Sequence, residues 1–277
     1  MNNTVKRSIF GTVFLAVMLG GLLLGRGFFA ILFALISGIM LEEFYRMTMG
    51  GAYRRLQDLA IVLSIALFMI VNSDLAHGES AATALVSGFL FLLVIMVASL
   101  FAKDHTDFMK TGFIYAGFLY IGIPLALSNF VVFQDGVFSG LLMIAFFCII
   151  WASDVGAYCF GLLLGQKIWP AKLCPSISPK KSWAGYIGGL LMAVLAGAIV
   201  KWTGLVSFPM VHCLAMAALM HVMGVFGDLF ESMWKRAAGI KDSGYIIPGH
   251  GGLMDRFDSA LFAIPTGYFY LMIFELV

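Results

Sequence analysis

Between Gly227 and Ser259 the chain reads GDLFESMWKRAAGIKDSGYIIPGHGGLMDRFDS. This run carries five of the fifteen acidic side chains: Asp228, Glu231, Asp242, Asp255 and Asp258. Four of the seventeen basic ones, Lys235, Arg236, Lys241 and Arg256, alternate with them. Carboxylates offer hard oxygen ligands to a divalent cation, and Lys and Arg neutralise phosphate oxygens. The glycines of Pro248-Gly249-His250-Gly251-Gly252 permit turns with exposed amides, a phosphate-wrapping geometry for which a flexible loop is the plain alternative. These residue types suit a metal-bound polyphosphate and the chemistry of Mg²⁺-assisted phosphoryl or nucleotidyl transfer. Neither a GxxxxGK[ST] loop nor a helix-opening GxGxxG is present, so the two common nucleotide cradles are not supported.

Spacing adds detail. His221 and Asp228 are seven apart and share a helix face, and Lys235 follows Asp228 at the same interval. Glu231 and Ser232 extend this polar surface. A carboxylate near a helix carboxyl end is unfavourable unless compensated, and a divalent cation would compensate Asp228. Asp255 and Asp258, three apart, face the same way if helical. His212, deeper in its apolar segment, reads as structural.

Two upstream stretches belong with this run. Asp154 lies in the apolar sequence IIWASDVGAYCFGLLLG, where a carboxylate costs about 2.5–3.5 kcal/mol on insertion scales. It must face a polar cavity or bond a neighbouring helix. Gly156, Gly161 and Gly165 would let another backbone, or a ligand, come close to that helix. In the following loop, Ser178-Pro179-Lys180-Lys181-Ser182 precedes a helix expected from about Trp183. Ser182 is the expected N-cap, and free N–H groups beside two lysines make an anion site. Lys167 and Lys172 read instead as headgroup-binding charge.

The elements that must position these residues are membrane spans. Hydrophobic residues make up 61% of the chain and charged ones 12%, against about 25% charged in a soluble domain, and the mean hydropathy is +0.98. The expected fold is an all-α, polytopic transmembrane bundle. Apolar segments run roughly 8–25, 27–45, 57–74, 80–102, 111–131, 137–163, 184–201, 206–228 and 259–276, about nine spans in all. The first begins like a signal peptide, but no small-x-small cleavage site follows, so it reads as a retained span forming a hairpin with the second around Gly25-Arg26-Gly27. A cytoplasmic N-terminus leaves only Arg26 and Lys201 outside among all Lys and Arg residues, as the positive-inside rule asks. That orientation puts both polar loops in the cytoplasm.

On this reading residues 1–135 are scaffold spans and residues 136–277 the catalytic region. A net charge of +2 gives no reason to expect a nucleic-acid partner. Cys148, Cys159, Cys174 and Cys213 lack metal-site spacing and read as apolar filler.

The residues from Ser232 to Asp258, S-x-W-K-R-x4-K-D-x-G-x2-I-P-x-H-G-G-L-x-D-R-F-D, closely resemble the signature of the phosphatidate cytidylyltransferase (CDP-diacylglycerol synthase) family. Asp154 with Ala157-Tyr158 and Gly161 also fits that pattern, as do Ser178-Pro179-Lys180, Ser182 and Gly185. Trp234 departs from it, standing where an aliphatic residue or Phe is usual. The resemblance covers a little under half the chain and leaves the first half matched only in hydropathy.

It implies an enzyme that condenses CTP with phosphatidic acid, giving CDP-diacylglycerol and pyrophosphate, in a cavity open to cytoplasm and membrane. Asp228 and Asp255 take the place of its metal ligands, with Mg²⁺ as the ion and K⁺ as a candidate second cation. Lys235, Arg236, Lys241 and Arg256 would contact phosphates, supported by Ser232, Asp242 and Asp258. Asp154, Tyr158, Ser178, Lys180, Lys181 and Ser182 would complete the CTP pocket, with His250 forming the turn or touching phosphate. The setting implied is the bacterial inner membrane, with membrane lipids as surroundings; a homodimer is compatible with such a bundle. The rivals are a CTP-dependent transferase using an ether lipid or polyprenol, and an ion-coupled transporter built on Asp154, His221 and Asp228.

Overall fold

The computed structural model describes residues 3–78, 82–102, 108–165, 168–246 and 251–277. Lys167 and His250 therefore lie outside the described residues. The chain forms two compact units, Met1–Gly140 with Ala238–Arg256, and Leu141–Ala237 with Phe257–Val277.

In the first unit, α1 (Asn3–Leu23) turns into α2 (Arg26–Met49) through Gly25, whose φ of 111° few other residues tolerate. The expected hairpin is therefore present. α2 packs on α3 (Arg54–Ala76), which also supports α4 (Ala82–Leu100). Phe29, Phe33 and Phe68 form the aromatic centre of this packing, with ring centroids 4.5 Å apart for the first pair and 5.8 Å for Phe29–Phe68. Such clusters add dispersion energy to simple burial.

The fifth apolar segment is helical but broken. A 3₁₀ turn (Phe108–Lys110) leads into α5 (Thr111–Gly117), a π turn (Phe118–Gly122) and α6 (Ile123–Val132). Pro124 lacks an N–H, so the helix cannot continue its regular ladder there, and the wider π turn absorbs the misfit. The sequence reading placed the next span from residue 137, whereas α7 starts only at Leu141. The reason is a small hairpin, β1 (Phe133–Gln134) against β2 (Val137–Phe138), closed by Asp135 and Gly136 with φ of 49° and 77°. Two positive φ values in an Asp-Gly pair are the tight hairpin turn that matches strand twist.

The second unit is built from α7 (Leu141–Leu163), α8 (Trp183–Trp202), α9 (Met210–Ala237) and α11 (Ala260–Ile273). Helix α10 (Met254–Phe257) spans the boundary between the units in sequence. Between α7 and α8, β3 (Lys172–Cys174) pairs antiparallel with β4 (Ser178–Ser182).

The glycines of α7 serve helix packing. A Cβ on Gly156 would lie 2.7 Å from the Gly188 carbonyl, and one on Gly185 would lie 2.8 Å from the Ala157 carbonyl. Backbones this close need small residues on both helices.

Among the described residues, seven helical stretches are long and apolar enough to cross a membrane: α2, α3, α4, Phe108–Val132, α7, α8 and α9. α1 contributes a shorter apolar stretch, Ile9–Leu23, and α11 has 14 residues. The fold is thus an all-α polytopic membrane bundle. α9 outruns its expected limit at residue 228: its 28 residues span about 42 Å, more than the roughly 30 Å hydrocarbon core.

Candidate active site

The extension of α9 is what gathers the site in the second unit. Asp228, Glu231, Ser232, Lys235 and Arg236 all ride its last three turns. Lys181, at the end of β4, reaches Asp228 with Nζ 2.7 Å from Oδ2. Ser232 Oγ donates to Asp228 Oδ1 at 3.3 Å, across one helical turn. Lys235 pairs with Glu231 at 2.6 Å, and both are buried. Glu231 lies one turn beyond Asp228 on this polar face and is fully enclosed. Arg236 is exposed.

Asp258 sits in the turn between α10 and α11, outside both helices, and its carboxylate accepts from the Ser259 amide at 2.7 Å. Gly227 lets α9 approach this turn, since a Cβ there would overlap the Asp258 carbonyl. Burial pushes the Asp258 carboxyl well above the usual carboxylate range, and Asp228, Glu231 and Asp154 push it the same way. Four carboxylates therefore share one negative field. Asp154 and Tyr158, one turn apart on α7, are exposed.

The predicted N-cap is formed. Ser182 Oγ accepts from the Gly185 amide at 3.1 Å, and α8 starts at Trp183. The hydroxyl is buried in this duty, while Lys180 is exposed and Ser178 half-buried.

The first unit holds the remaining members. Asp255 Oδ2 accepts from the Gly252 amide at 2.7 Å, the Ser243 amide at 2.9 Å and Ser243 Oγ at 3.0 Å. Asp242 and Asp255 both border Gly251, whose φ is 85°. Lys241, Asp242 and Arg256 are exposed.

One participant was missed by the sequence reading, which gave the first half no chemistry. Glu43 on α2 is 1% exposed, and it accepts from the Leu253 amide at 3.1 Å and the Met254 amide at 2.8 Å. The available signal was the Glu42-Glu43 pair inside an apolar segment, where an ionisable residue needs a partner.

His221, left open by spacing alone, is buried with Nδ1 2.7 Å from Ser153 Oγ and its ring against Tyr186. His212 bonds the Tyr270 hydroxyl at 3.0 Å, a structural role as expected.

Asp228 on α9 and, in the first unit, Asp255 each present carboxylate oxygens, and at Asp258 three further carboxylates add to the negative field, two of them paired with Lys181 and Lys235. Both features fit a hard divalent cation. Among the described residues no group of three or more His, Cys, Asp or Glu forms a ready cage. A cation here would complete its shell from water and substrate phosphate, as magnesium commonly does.

Long apolar helices with a charged cluster at their ends define an integral membrane protein. The profile of the cytidylyltransferase family matches residues 5–274. A phosphatidate cytidylyltransferase of Bacillus subtilis (strain 168) is 32% identical over 271 residues, covering 98% of each chain. One from Staphylococcus epidermidis (strain ATCC 12228 / FDA PCI 1200) is 35% identical over 257 residues, covering 91% of this chain and 92% of its own. Another, from Staphylococcus haemolyticus (strain JCSC1435), is 32% identical over 262 residues, covering 94% and 95%. The chain belongs to the cytidylyltransferase family.

Proposed function

We propose that the protein transfers the cytidylyl group of CTP to phosphatidic acid, yielding CDP-diacylglycerol and pyrophosphate for phospholipid synthesis. Similarity along nearly the whole chain to relatives named for this activity carries the reading. In the reaction a phosphate oxygen of phosphatidic acid bonds to the α-phosphorus of CTP, and the bond from that phosphorus to the bridging oxygen breaks. The electron pair leaves with pyrophosphate. The nucleophile is already an anion, so no strong base is required, and the site's task is to align two anions and neutralise the leaving group.

Asp228 and Asp255 would hold Mg²⁺, with K⁺ as a candidate second ion. Bound there, the metal would supply Lewis-acid charge to the phosphates. Lys181, paired with Asp228 here, would be available to substrate phosphate if a cation neutralised that carboxylate. Lys235, Arg236, Lys241 and Arg256 bind the polyphosphate and lipid phosphate, and His250 would form a turn or touch phosphate. Ser232 orients Asp228, while Asp242 and Asp258 support the cations around them. Asp154, Tyr158, Ser178, Lys180 and Ser182 complete the CTP pocket.

The catalytic region is residues 136–277, and about nine crossings with a cytoplasmic N-terminus put its loops where CTP is found. The membrane would be the bacterial inner membrane, with bulk lipid and a second copy of the chain as neighbours. Purified protein in detergent, given radiolabelled CTP, phosphatidic acid and Mg²⁺, should form a labelled CDP-lipid. Absence of product, or equal use of ATP or UTP, would overturn the reading.

A further inference from the structure

We propose that Glu43 is the positioning residue that sets the orientation of Asp255, acting through Ser243 and the Leu253–Met254 backbone. The inference rests on the reading of Asp255 as a metal ligand.

A carboxylate buried in an apolar helix is costly unless it is fully hydrogen-bonded. The described hydrogen bonds of Glu43 all come from the segment that carries Asp255. The Leu253 amide donates to Oε1, and the Met254 amide donates to Oε2. Ser243 Oγ lies 3.4 Å from Oε2 and 3.0 Å from Asp255 Oδ2. One hydroxyl proton thus stands between two carboxylates. The chain is also pressed onto Glu43, because a Cβ on Gly244 would overlap its Oε1 and one on Gly252 would come 2.6 Å from its Oε2.

This arrangement fixes Asp255 from two sides. Three donors on Oδ2 set the plane of its carboxylate, and two of them belong to Ser243. Glu43 holds the two successive amides of Leu253 and Met254, immediately before Asp255. The role needs a group with acceptors only, on two oxygens. Glutamine at this position would turn an NH₂ toward one of the backbone donors. Groups that orient a metal ligand typically change metal affinity by about tenfold to a hundredfold when altered.

The test is Mn²⁺ binding by electron paramagnetic resonance, in detergent with CTP present, alongside hydrogen exchange of the amides at 252–254. Wild type, Glu43→Gln, Ser243→Ala and Asp255→Asn are compared. Asp255→Asn should abolish tight Mn²⁺ binding. Glu43→Gln should weaken it about tenfold to a hundredfold and speed exchange at 252–254. Ser243→Ala should weaken it in the same direction. If Asp255→Asn binds Mn²⁺ as wild type does, the metal assignment itself fails. If only Asp255→Asn is impaired, the positioning role alone is overturned. Weaker binding in Glu43→Gln without faster exchange overturns it too, since Glu43 would then act by charge alone. Should Glu43→Gln fail to fold, Glu43→Asp, which keeps the charge but withdraws the carboxylate from the Leu253 and Met254 amides, decides on the same criterion.

Discussion

Lys181 and Asp228 meet across 2.7 Å, joining the strand before α8 to the polar end of α9. Each is about a quarter to a third exposed, so the pair is open to exchange with a ligand. An exposed pair of this kind adds little to stability. In the proposed mechanism it would hold a cation beside a carboxylate until substrate and metal took over both.

Lys181→Met is expected to leave the melting temperature nearly unchanged and to lower kcat/KM for CTP by about a hundredfold, the usual effect of losing one charge-stabilising donor. Steady-state kinetics at saturating phosphatidic acid check this. A variant with wild-type kinetics would remove Lys181 from the phosphate site.

Asp228→Asn should lower kcat by at least about a thousandfold without unfolding the protein. EDTA should abolish wild-type turnover, and added Mg²⁺ should restore it. Turnover that persists in EDTA would exclude the metal role.

The Glu231–Lys235 pair is enclosed, so its removal should register as stability. Glu231→Ala leaves a buried ammonium and should cost about 3–5 kcal/mol. The double variant Glu231→Met with Lys235→Met should recover much of that loss, although its activity stays low. Denaturation in mild detergent distinguishes the two. Equal destabilisation by both variants would mean that packing, not charge, dominates.

Gly185→Ala should lower stability by about 1–3 kcal/mol, because the new methyl meets the Ala157 carbonyl between α7 and α8. Gly20→Ala, whose methyl would lie 3.7 Å from Leu24, is the control and should be neutral or slightly stabilising. Thermal melts of the two variants are the measurement.

Much of this architecture could be read from residue patterns. Long apolar runs have few solutions in a bilayer, so the helices and the Gly25 turn were legible. The Ser182 cap was legible as well, since hydroxyls at helix starts follow a local rule. What escaped depends on distance along the chain. Nothing near Glu43 in sequence reveals that its acceptors serve amides at Leu253 and Met254. The burial of Glu231 was not legible either, because periodicity gives a face but not what covers it. The β1–β2 hairpin was missed although Asp135-Gly136 is a strong turn signal, because apolar residues on either side masked it.

The apolar part of α9, from Met210 to Gly227, measures about 27 Å, close to the thickness of a hydrocarbon core. Asp228 is the next residue. The helix therefore works as a ruler: its uncharged length matches the core, and the first carboxylate follows directly after it. With Asp228 in the proposed site, bilayer thickness would bear on the chemistry, because a thicker or thinner membrane must tilt this rod or draw its charged end out of register with the headgroups.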